Sequence, residues 1–208
     1  MATGGGRAAG ATHGLEAIVL AAGSGARFGG GKLTTPYRDG LLLDGALAAA
    51  FAAPARTVTV VTGADAPRIE AAARRFANGI GAAGRLRIVH APQHAEGMGA
   101  SLRTGVASLP CDAAGAFVFL GDMPRVPAVV LEPLAEALAT GAAAAAPIFQ
   151  GRRGNPVLLG ATLFPDVLAL QGDAGARAIL QDLGDQLALV DAPDDGILFD
   201  VDLPTDLP

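Results

Sequence analysis

Residues 20–33 read LAAGSGARFGGGKL, and they decide which fold this chain can adopt. Its glycines follow residues 16–20, EAIVL, in which four of the five residues are apolar, as is typical of a buried β-strand. Because Gly23, Ser24 and Gly25 leave little side chain in the way, their backbone N–H groups can approach an anion closely. A strand followed by such a loop indicates a phosphate-binding turn. The alternative is a flexible glycine-rich turn that binds nothing.

Positive charge in the same loop strengthens the phosphate interpretation. Lys32 is the only lysine in the chain, whereas fourteen arginines supply the other fixed positive side chains. A Walker loop ending at Lys32 would require glycine at Ala26 and serine or threonine at Leu33. The dinucleotide-binding fingerprint starting at Gly23 would require glycine at Phe28. The loop therefore matches neither P-loop ATPases nor standard Rossmann dehydrogenases.

Composition favours a single domain that binds a small molecule. The chain has 208 residues, 51% of them hydrophobic, which is enough to bury one sizeable core. Its uncharged stretches are far shorter than the roughly 20 apolar residues that a membrane span needs. A net charge of −5 argues against a nucleic-acid surface, which normally carries a basic face. We expect a disordered tail over residues 1–14, one domain over residues 15–208 and a cytoplasmic location, because the first residues lack the apolar run of a secretory signal.

Strand-like and helix-like segments alternate along the chain. This alternation predicts right-handed crossovers and hence a single-domain α/β fold, Rossmann-like, with a mostly parallel sheet flanked by helices. Ligands of such sheets bind beyond the carboxyl ends of the strands, so the loops that follow strands should carry the function. The predicted strands are residues 16–20, 57–62, 86–90, 116–120, 143–148, 156–159, 187–190 and 197–199. The predicted helices are residues 43–53, 66–77, 99–108, 128–139, 161–170 and 174–183.

Aspartates follow two other apolar runs. The run FVFLGDMP at residues 117–124 places Asp122 at the end of a strand, and ILFDVDLPTDL at residues 197–207 places Asp200 and Asp202 after another. Carboxylates from two separate loops suit Mg²⁺, which takes one or two protein carboxylates and leaves its other positions to substrate phosphates and water. One cysteine and three scattered histidines, in contrast, cannot provide a zinc cluster. Taken singly, each aspartate fits a turn or a helix cap equally well.

Six stretches with glycine, arginine or aspartate at their centres follow one another along the chain: LAAGSGARFGGGKL at 20–33, EGMGASLRTG at 96–105, LGDMP at 120–124, RRGNPVLL at 152–159, GDAGAR at 172–177 and FDVDLPTDL at 199–207. Together they resemble the molybdenum cofactor cytidylyltransferases, which are nucleotidyltransferases with a glycosyltransferase-A-like fold. The resemblance implies transfer of CMP from CTP to the phosphate of molybdenum-bearing molybdopterin. The products would be molybdopterin cytosine dinucleotide and pyrophosphate, with a molybdenum hydroxylase as the recipient of the finished cofactor.

The resemblance also assigns roles to individual residues. Arg27, Lys32 and Asp122 would act in catalysis, and Asp122 and Asp202 would hold Mg²⁺. The residues that would bind the nucleotide are Leu20, Ala21, Ala22, Gly23, Ser24, Gly25, Gly97, Gly99 and Ser101.

Some of these assignments compete with plainer interpretations. Gly97 and Gly99 would let the backbone approach the base while Ser101 offers a hydrogen bond, but a glycine-rich helix entrance has the same sequence. Asn155 and Arg177 would face the second substrate. The arginines of these loops could equally be solvated surface residues.

The chemistry itself needs no general base. The attacking phosphate monoester is already an oxyanion near pH 7, since its second pKa is about 6. This agrees with three histidines that show no Ser/His/Asp or Cys/His arrangement. Two alternatives remain open, namely the same reaction with a sugar or polyol phosphate as acceptor, and a non-catalytic accessory protein that carries finished cofactor to a molybdenum hydroxylase.

The form of the first loop favours CTP as the nucleotide. Residues 20–23 read LAAG, which resembles the cytidylyltransferases, whereas guanylyltransferase relatives tend to have LAGG. The Cβ of Ala22 would occupy space beside the base that a glycine leaves open. A pyrimidine should therefore fit more easily than a purine.

Overall fold

A computed structural model describes residues 14–170, 172 and 175–207. The expected tail over residues 1–14 therefore lies outside the described residues except for Gly14. That glycine is buried, and its carbonyl accepts a hydrogen bond from the Ala114 N–H at 2.8 Å. Within these ranges, no helix is long and apolar enough to cross a membrane.

A mostly parallel sheet forms the centre of the molecule, as the sequence predicts. In the described ranges eight strands join it, in the order β10-β7-β9-β6-β1-β4-β5 with β8 paired to β7, and β2 and β3 form a separate hairpin. In the eight-stranded sheet, β9 runs antiparallel to both of its neighbours and β8 runs antiparallel to β7. The other strand pairs of this sheet are parallel. The strands are β1 (Leu15–Ala21), β2 (Pro36–Tyr37), β3 (Gly40–Leu41), β4 (Val58–Thr62), β5 (Leu86–His90), β6 (Gly115–Leu120), β7 (Ala144–Phe149), β8 (Arg152–Arg153), β9 (Val157–Gly160) and β10 (Leu187–Asp191).

Helices cover both faces of the sheet. One hydrophobic cluster packs α1, α2 and α4 on one face, and a second packs α3, α5 and α6 on the other. Strand β1 contributes to both clusters and all seven of its residues are buried, which is why its sequence is apolar without alternation except at Glu16. The carboxylate of Glu16 accepts hydrogen bonds from the side chains of Arg56 and Thr57. The helices are α1 (Leu42–Ala52), α2 (Ala66–Gly79), α3 (Met98–Ala107), α4 (Leu131–Ala139), α5 (Phe164–Ala169) and α6 (Ala176–Gln181).

The predicted strand at residues 197–199 is wrong. Asp195–Ile197 instead form a short 3-10 turn. The side chain of Asp194 accepts a hydrogen bond from the Gly196 N–H at 2.8 Å, and such local bonds compete with a sheet ladder. The Ile197 carbonyl accepts the Asn155 N–H at 2.9 Å, so this backbone is satisfied by a loop and not by a strand.

Helix α1 packs directly on the loop that follows β6. A Cβ built on Gly45 would lie 2.6 Å from the Pro124 Cα, closer than real Cβ atoms approach other atoms. Overpacking usually costs about 1–3 kcal/mol, and a gain of about 0.5–1 kcal/mol in helix propensity offsets part of this cost. We therefore expect Gly45→Ala to lower the free energy of unfolding by about 1–2 kcal/mol.

Urea unfolding of the two proteins measures this difference. Gly79→Ala is the matched control, because Gly79 also lies in a helix but a Cβ there meets nothing within 4 Å. The control should be neutral or stabilising. Equal stability changes in the two variants would contradict the close approach of α1 to Pro124.

Candidate active site

A cleft of about 700 Å³ lies at the carboxyl edge of the parallel strands. The loops that follow β1, β5 and β6 meet there, together with the segment near the C-terminal end of the described chain. Most of the residues predicted to bind nucleotide or metal line this cleft, namely Leu20, Ala22, Gly23, Ser24, Gly25, Arg27, Lys32, Gly97, Ser101, Asp122 and Asp202. Ala21 lines a smaller pocket of about 100 Å³ beside it, and Gly99 is buried inside α3 without lining the cleft.

The glycine-rich loop after β1 turns back on itself. Gly25 and Gly29, which flank the 3-10 turn Ala26–Phe28, have φ angles of +59° and +91°, values that side chains with a Cβ rarely adopt. Gly31, with φ of +66°, precedes a second such turn that begins at Lys32. These turns carry the basic side chains of the loop towards the aspartates on the other side of the cleft.

The predicted cations and the predicted metal ligands form one cluster of ion pairs. The Nζ of Lys32 lies 2.7 Å from an Asp122 oxygen and 3.6 Å from an Asp202 oxygen. Arg27 binds the other Asp202 oxygen through one guanidinium nitrogen at 2.8 Å. The Lys32 side chain is only 13% exposed, whereas that of Arg27 is 76% exposed, so the lysine is the inner partner of both carboxylates. Four residues from three separate loops are thereby brought together.

Asp200 adds a third carboxyl group to the same cleft. Loss of surrounding water raises the pKa of this carboxyl, and the negative charges of Asp122 and Asp202 raise it further. Asp200 lies two residues before Asp202, and the family resemblance assigns it no role. Three carboxyl groups therefore line one cleft, and their like charges favour a cation among them.

Hydrogen bonds hold the two aspartate-bearing segments in place. The Val201 N–H donates to the Asp122 carbonyl at 3.1 Å, and Val201 is fully buried. The carboxylate of Asp206 accepts the Leu203 N–H at 2.7 Å and the Asp202 N–H at 2.9 Å. These two backbone bonds hold the pKa of Asp206 below its usual value. The backbone at Asp202 is therefore fixed both from its own loop and from the loop of Asp122.

The donor set suits a hard divalent cation. Asp122 and Asp202 offer carboxylate oxygens only, which Mg²⁺ and similar ions prefer, and one or two protein carboxylates suffice when phosphates and water complete the shell. In the part of the chain that the structure describes, no group of three or more His, Cys, Asp or Glu residues is arranged to hold a metal ion without such help. The residues thus fit a metal that arrives with a phosphate-bearing substrate.

Small residues also line the cleft. Ala22 and Ser101 are nearly buried there, and Gly97, with a φ of +120°, immediately precedes α3. His94, to which the family resemblance assigns no role, also lines the cleft and lies edge-on to the ring of His90 at 6.1 Å. Its position in the loop after β5 is the signal that could have identified it, since the other site residues also follow strands.

A second cleft, of about 610 Å³, adjoins the first along Leu20, Met98 and Leu120, which line both. Its polar lining is provided by the residues predicted to face the second substrate and by two further arginines, and its floor is apolar. The polar residues are Arg152, Arg153, Asn155 and Arg177, and the apolar ones include Leu102, Val118, Val157, Leu180 and Leu198. The three arginines of these loops line this cleft, and Arg152 and Arg177 are also exposed to solvent, so the surface interpretation still applies to these two.

Comparison with known proteins supports the same picture. Residues 17–188 match a family model described as a MobA-like NTP transferase domain. No match was found among curated protein sequences. The structure of Rv0371c from Mycobacterium tuberculosis H37Rv is similar, with a TM-score of 0.78 and 25% sequence identity over 92% of this chain and 94% of that one.

Two further structures share the fold at lower identity. Rv0371c in complex with manganese has a TM-score of 0.70 and 23% identity over 86% of this chain and 88% of that one. A 4-diphosphocytidyl-2C-methyl-D-erythritol synthase from Anaerococcus prevotii has a TM-score of 0.71 and 14% identity over 94% of this chain and 93% of that one. At these identities the similarity shows the fold alone.

Proposed function

This chain belongs to the MobA-like NTP transferase domain family, and from that premise we propose that it transfers CMP from CTP to the phosphate of molybdenum-bearing molybdopterin. In this reaction a phosphate oxygen of the acceptor forms a bond to the α-phosphorus of CTP. The bond from that phosphorus to the oxygen bridging to the β-phosphate breaks, and pyrophosphate leaves with the electron pair. The name of the manganese-bound relative and that of the diphosphocytidyl synthase are consistent with a divalent metal and with CTP, respectively.

The residues of the cleft supply what this reaction needs. Two anions must be aligned although they repel each other, and negative charge must be neutralised as it moves to the leaving pyrophosphate. The glycine loop offers backbone N–H groups to the triphosphate, and Lys32 and Arg27 offer positive charge beside it. A divalent ion such as Mg²⁺, held by Asp122 and Asp202, would add further charge neutralisation at the phosphates. With the two carboxylates bound to such an ion, the Lys32 ammonium, which pairs with both of them in this structure, would be available to contact phosphate.

The single observation that carries the choice of acceptor is the arginine-lined cleft beside the nucleotide cleft. Three arginines suit an acceptor with several negative groups, since a guanidinium pairs well with phosphate and other oxyanions. The apolar floor suits a flat ring system such as a pterin. A simple sugar or polyol phosphate could pair its phosphate with the arginines but would leave the apolar floor unused, so molybdopterin is the acceptor that this cleft favours.

Mass spectrometry of the product tests the proposal. The full-length protein is incubated with CTP, Mg²⁺ and a mixture of molybdopterin, sugar phosphates and polyol phosphates. We expect a cytidine-containing dinucleotide of molybdopterin and an equal amount of pyrophosphate. A cytidylylated sugar or polyol would show that the acceptor is not molybdopterin. Bound cofactor without release of pyrophosphate would show that the protein is a carrier and not an enzyme.

The choice of base gives a separate prediction. Ala22 is 4% exposed in the cleft, and its Cβ and carbonyl lie directly against Gly63, so the loop has little room to adjust. We expect CTP to be used in preference to GTP and Ala22→Gly to narrow the difference by about tenfold without reversing it, because one methyl group typically contributes about 1–3 kcal/mol to discrimination. Initial rates with both nucleotides in competition measure the preference. Equal use of CTP and GTP by the unmodified protein would refute the cytidylyltransferase assignment.

A further inference from the structure

We propose that Arg125 is a positioning residue that holds the Asp122 loop and the Asp202 segment at the separation required to share one divalent cation. The inference rests on the proposed metal site, to which it adds a residue that contacts neither substrate nor metal. Arg125 lies three residues after Asp122, outside the six motif stretches, and nothing in its sequence context distinguishes it from a surface arginine.

The guanidinium of Arg125 is held between two aromatic side chains. Its central carbon lies 3.6 Å from the centroid of the Phe199 ring, a distance at which a cation and a ring face interact strongly. Its Nε donates a hydrogen bond to the hydroxyl of Tyr37 at 3.1 Å, and Tyr37 is only 6% exposed. Arg125 therefore joins the β2–β3 hairpin, its own loop and the segment that precedes Asp200.

The backbone of Arg125 contacts the same segment at a second point. A Cβ built on Gly196 would collide with the Arg125 carbonyl oxygen, so the two backbones are packed without an intervening side chain. Arg125 thus contacts this segment at Gly196 through its carbonyl and at Phe199 through its guanidinium. Asp202 follows Phe199 by three residues, so a contact that holds the ring also restrains the short segment that carries the carboxylate.

Lys32 and Arg27 pair with Asp122 and Asp202 in this structure, and a clamp would be needed when these two cations turn to the substrate phosphates. Asp122, Asp200 and Asp202 line one cleft, and like charges at short range repel each other. The backbone bond from Val201 to Asp122 joins the two segments beside the carboxylates. The contacts of Arg125 with Gly196 and Phe199 join them again before Asp200. Outer groups that orient metal ligands commonly change metal affinity by about 10–100-fold.

Arg85 provides a matched control within the same chain. Its guanidinium lies over the Phe51 ring at 5.6 Å and donates hydrogen bonds to the carbonyls of Phe51 and Ala55 at 3.1 and 2.8 Å. It immediately precedes β5 and so lies at the amino ends of the parallel strands, whereas the cleft lies at their carboxyl ends. Arg85→Ala therefore removes an arginine–aromatic contact and lowers stability without touching either aspartate segment.

Direct titration with Mn²⁺, followed by electron paramagnetic resonance of the free ion, tests the inference. The full-length protein is titrated in the presence of a CTP analogue with a methylene group between the α- and β-phosphorus atoms. We expect Arg125→Ala to raise the Kd for Mn²⁺ by about tenfold or more, Arg125→Lys to give an intermediate value, and Arg85→Ala to leave it unchanged. In steady-state rates, the Arg125 variants should require more metal for half-saturation and recover most of kcat when metal is raised.

The possible outcomes separate this inference from the proposed function. A wild-type protein that binds no Mn²⁺ with the analogue would overturn the metal site itself, and the role of Arg125 with it. Wild-type binding with an unchanged Kd in Arg125→Ala would overturn only the positioning role, as would an equal loss of affinity in Arg85→Ala. If Arg125→Ala does not fold, the Mn²⁺ titration is done with Phe199→Leu and Arg125→Lys. Both substitutions keep the space between the two side chains filled while weakening the contact between them.

Discussion

Asp122→Asn is expected to lower the rate of nucleotidyl transfer by at least about 10³-fold while the protein remains folded. The variant keeps the shape of the side chain but loses the charge that a divalent ion requires, and metal stabilisation of a phosphoryl transition state contributes several kcal/mol. The fold should survive because Asp122 is partly exposed and its backbone bond from Val201 does not depend on the carboxylate. Turnover of CTP with acceptor at saturating Mg²⁺ measures the loss.

The controls for this variant address both metal and fold. Asp202→Asn should behave similarly, since its carboxylate completes the same pair. Asp185 lies in an exposed turn before β10, so Asp185→Asn should leave the rate unchanged. Near-normal rates in both Asp122→Asn and Asp202→Asn would show that these aspartates only cap or close turns, and the two-carboxylate site would be wrong.

Lys32→Ala is expected to lower kcat by about 10²-fold or more, beyond any weakening of nucleotide binding. If the ammonium neutralises charge that grows in the transition state, its loss resembles removal of an oxyanion donor. Arginine at this position should restore only part of the rate, because a planar guanidinium cannot follow charge between phosphate oxygens as a compact ammonium does. Single-turnover rates at saturating CTP separate this effect from binding.

The ion pairs of Lys32 require a stability measurement beside the kinetic one. Lys32→Ala leaves Asp122 and Asp202 facing each other with only the exposed Arg27 as a nearby cation in the described cluster. The variant should therefore unfold more easily at neutral pH, and rates must be compared at equal folded fractions. Normal kcat with only a raised CTP requirement would reduce Lys32 to a residue that binds the ground state.

Much of the fold could be predicted because its signals are local. Residues close together in the sequence determine the buried run of β1, the glycine loop after it and the alternation of strands with helices. This alternation in turn limits how the chain can cross from one strand to the next. The same rule predicts that the loops after β1, β5 and β6 meet at one edge, which they do. The residues of those loops could thus be proposed as a site before any coordinates.

The sequence by itself therefore determined the fold class, the family resemblance and the set of loops that carry the candidate site. Only the tertiary structure decided that Lys32 is the inner partner of Asp122 and Asp202, and that residues 197–199 form a turn packed on Arg125 instead of a strand. It also decided that the arginines at 152, 153 and 177 line one cleft. The physical reason is range: helix and strand preferences act over a few neighbouring residues, whereas ion pairs, cation–ring contacts and clefts join residues far apart in the chain, and their partners are set only when the core has packed.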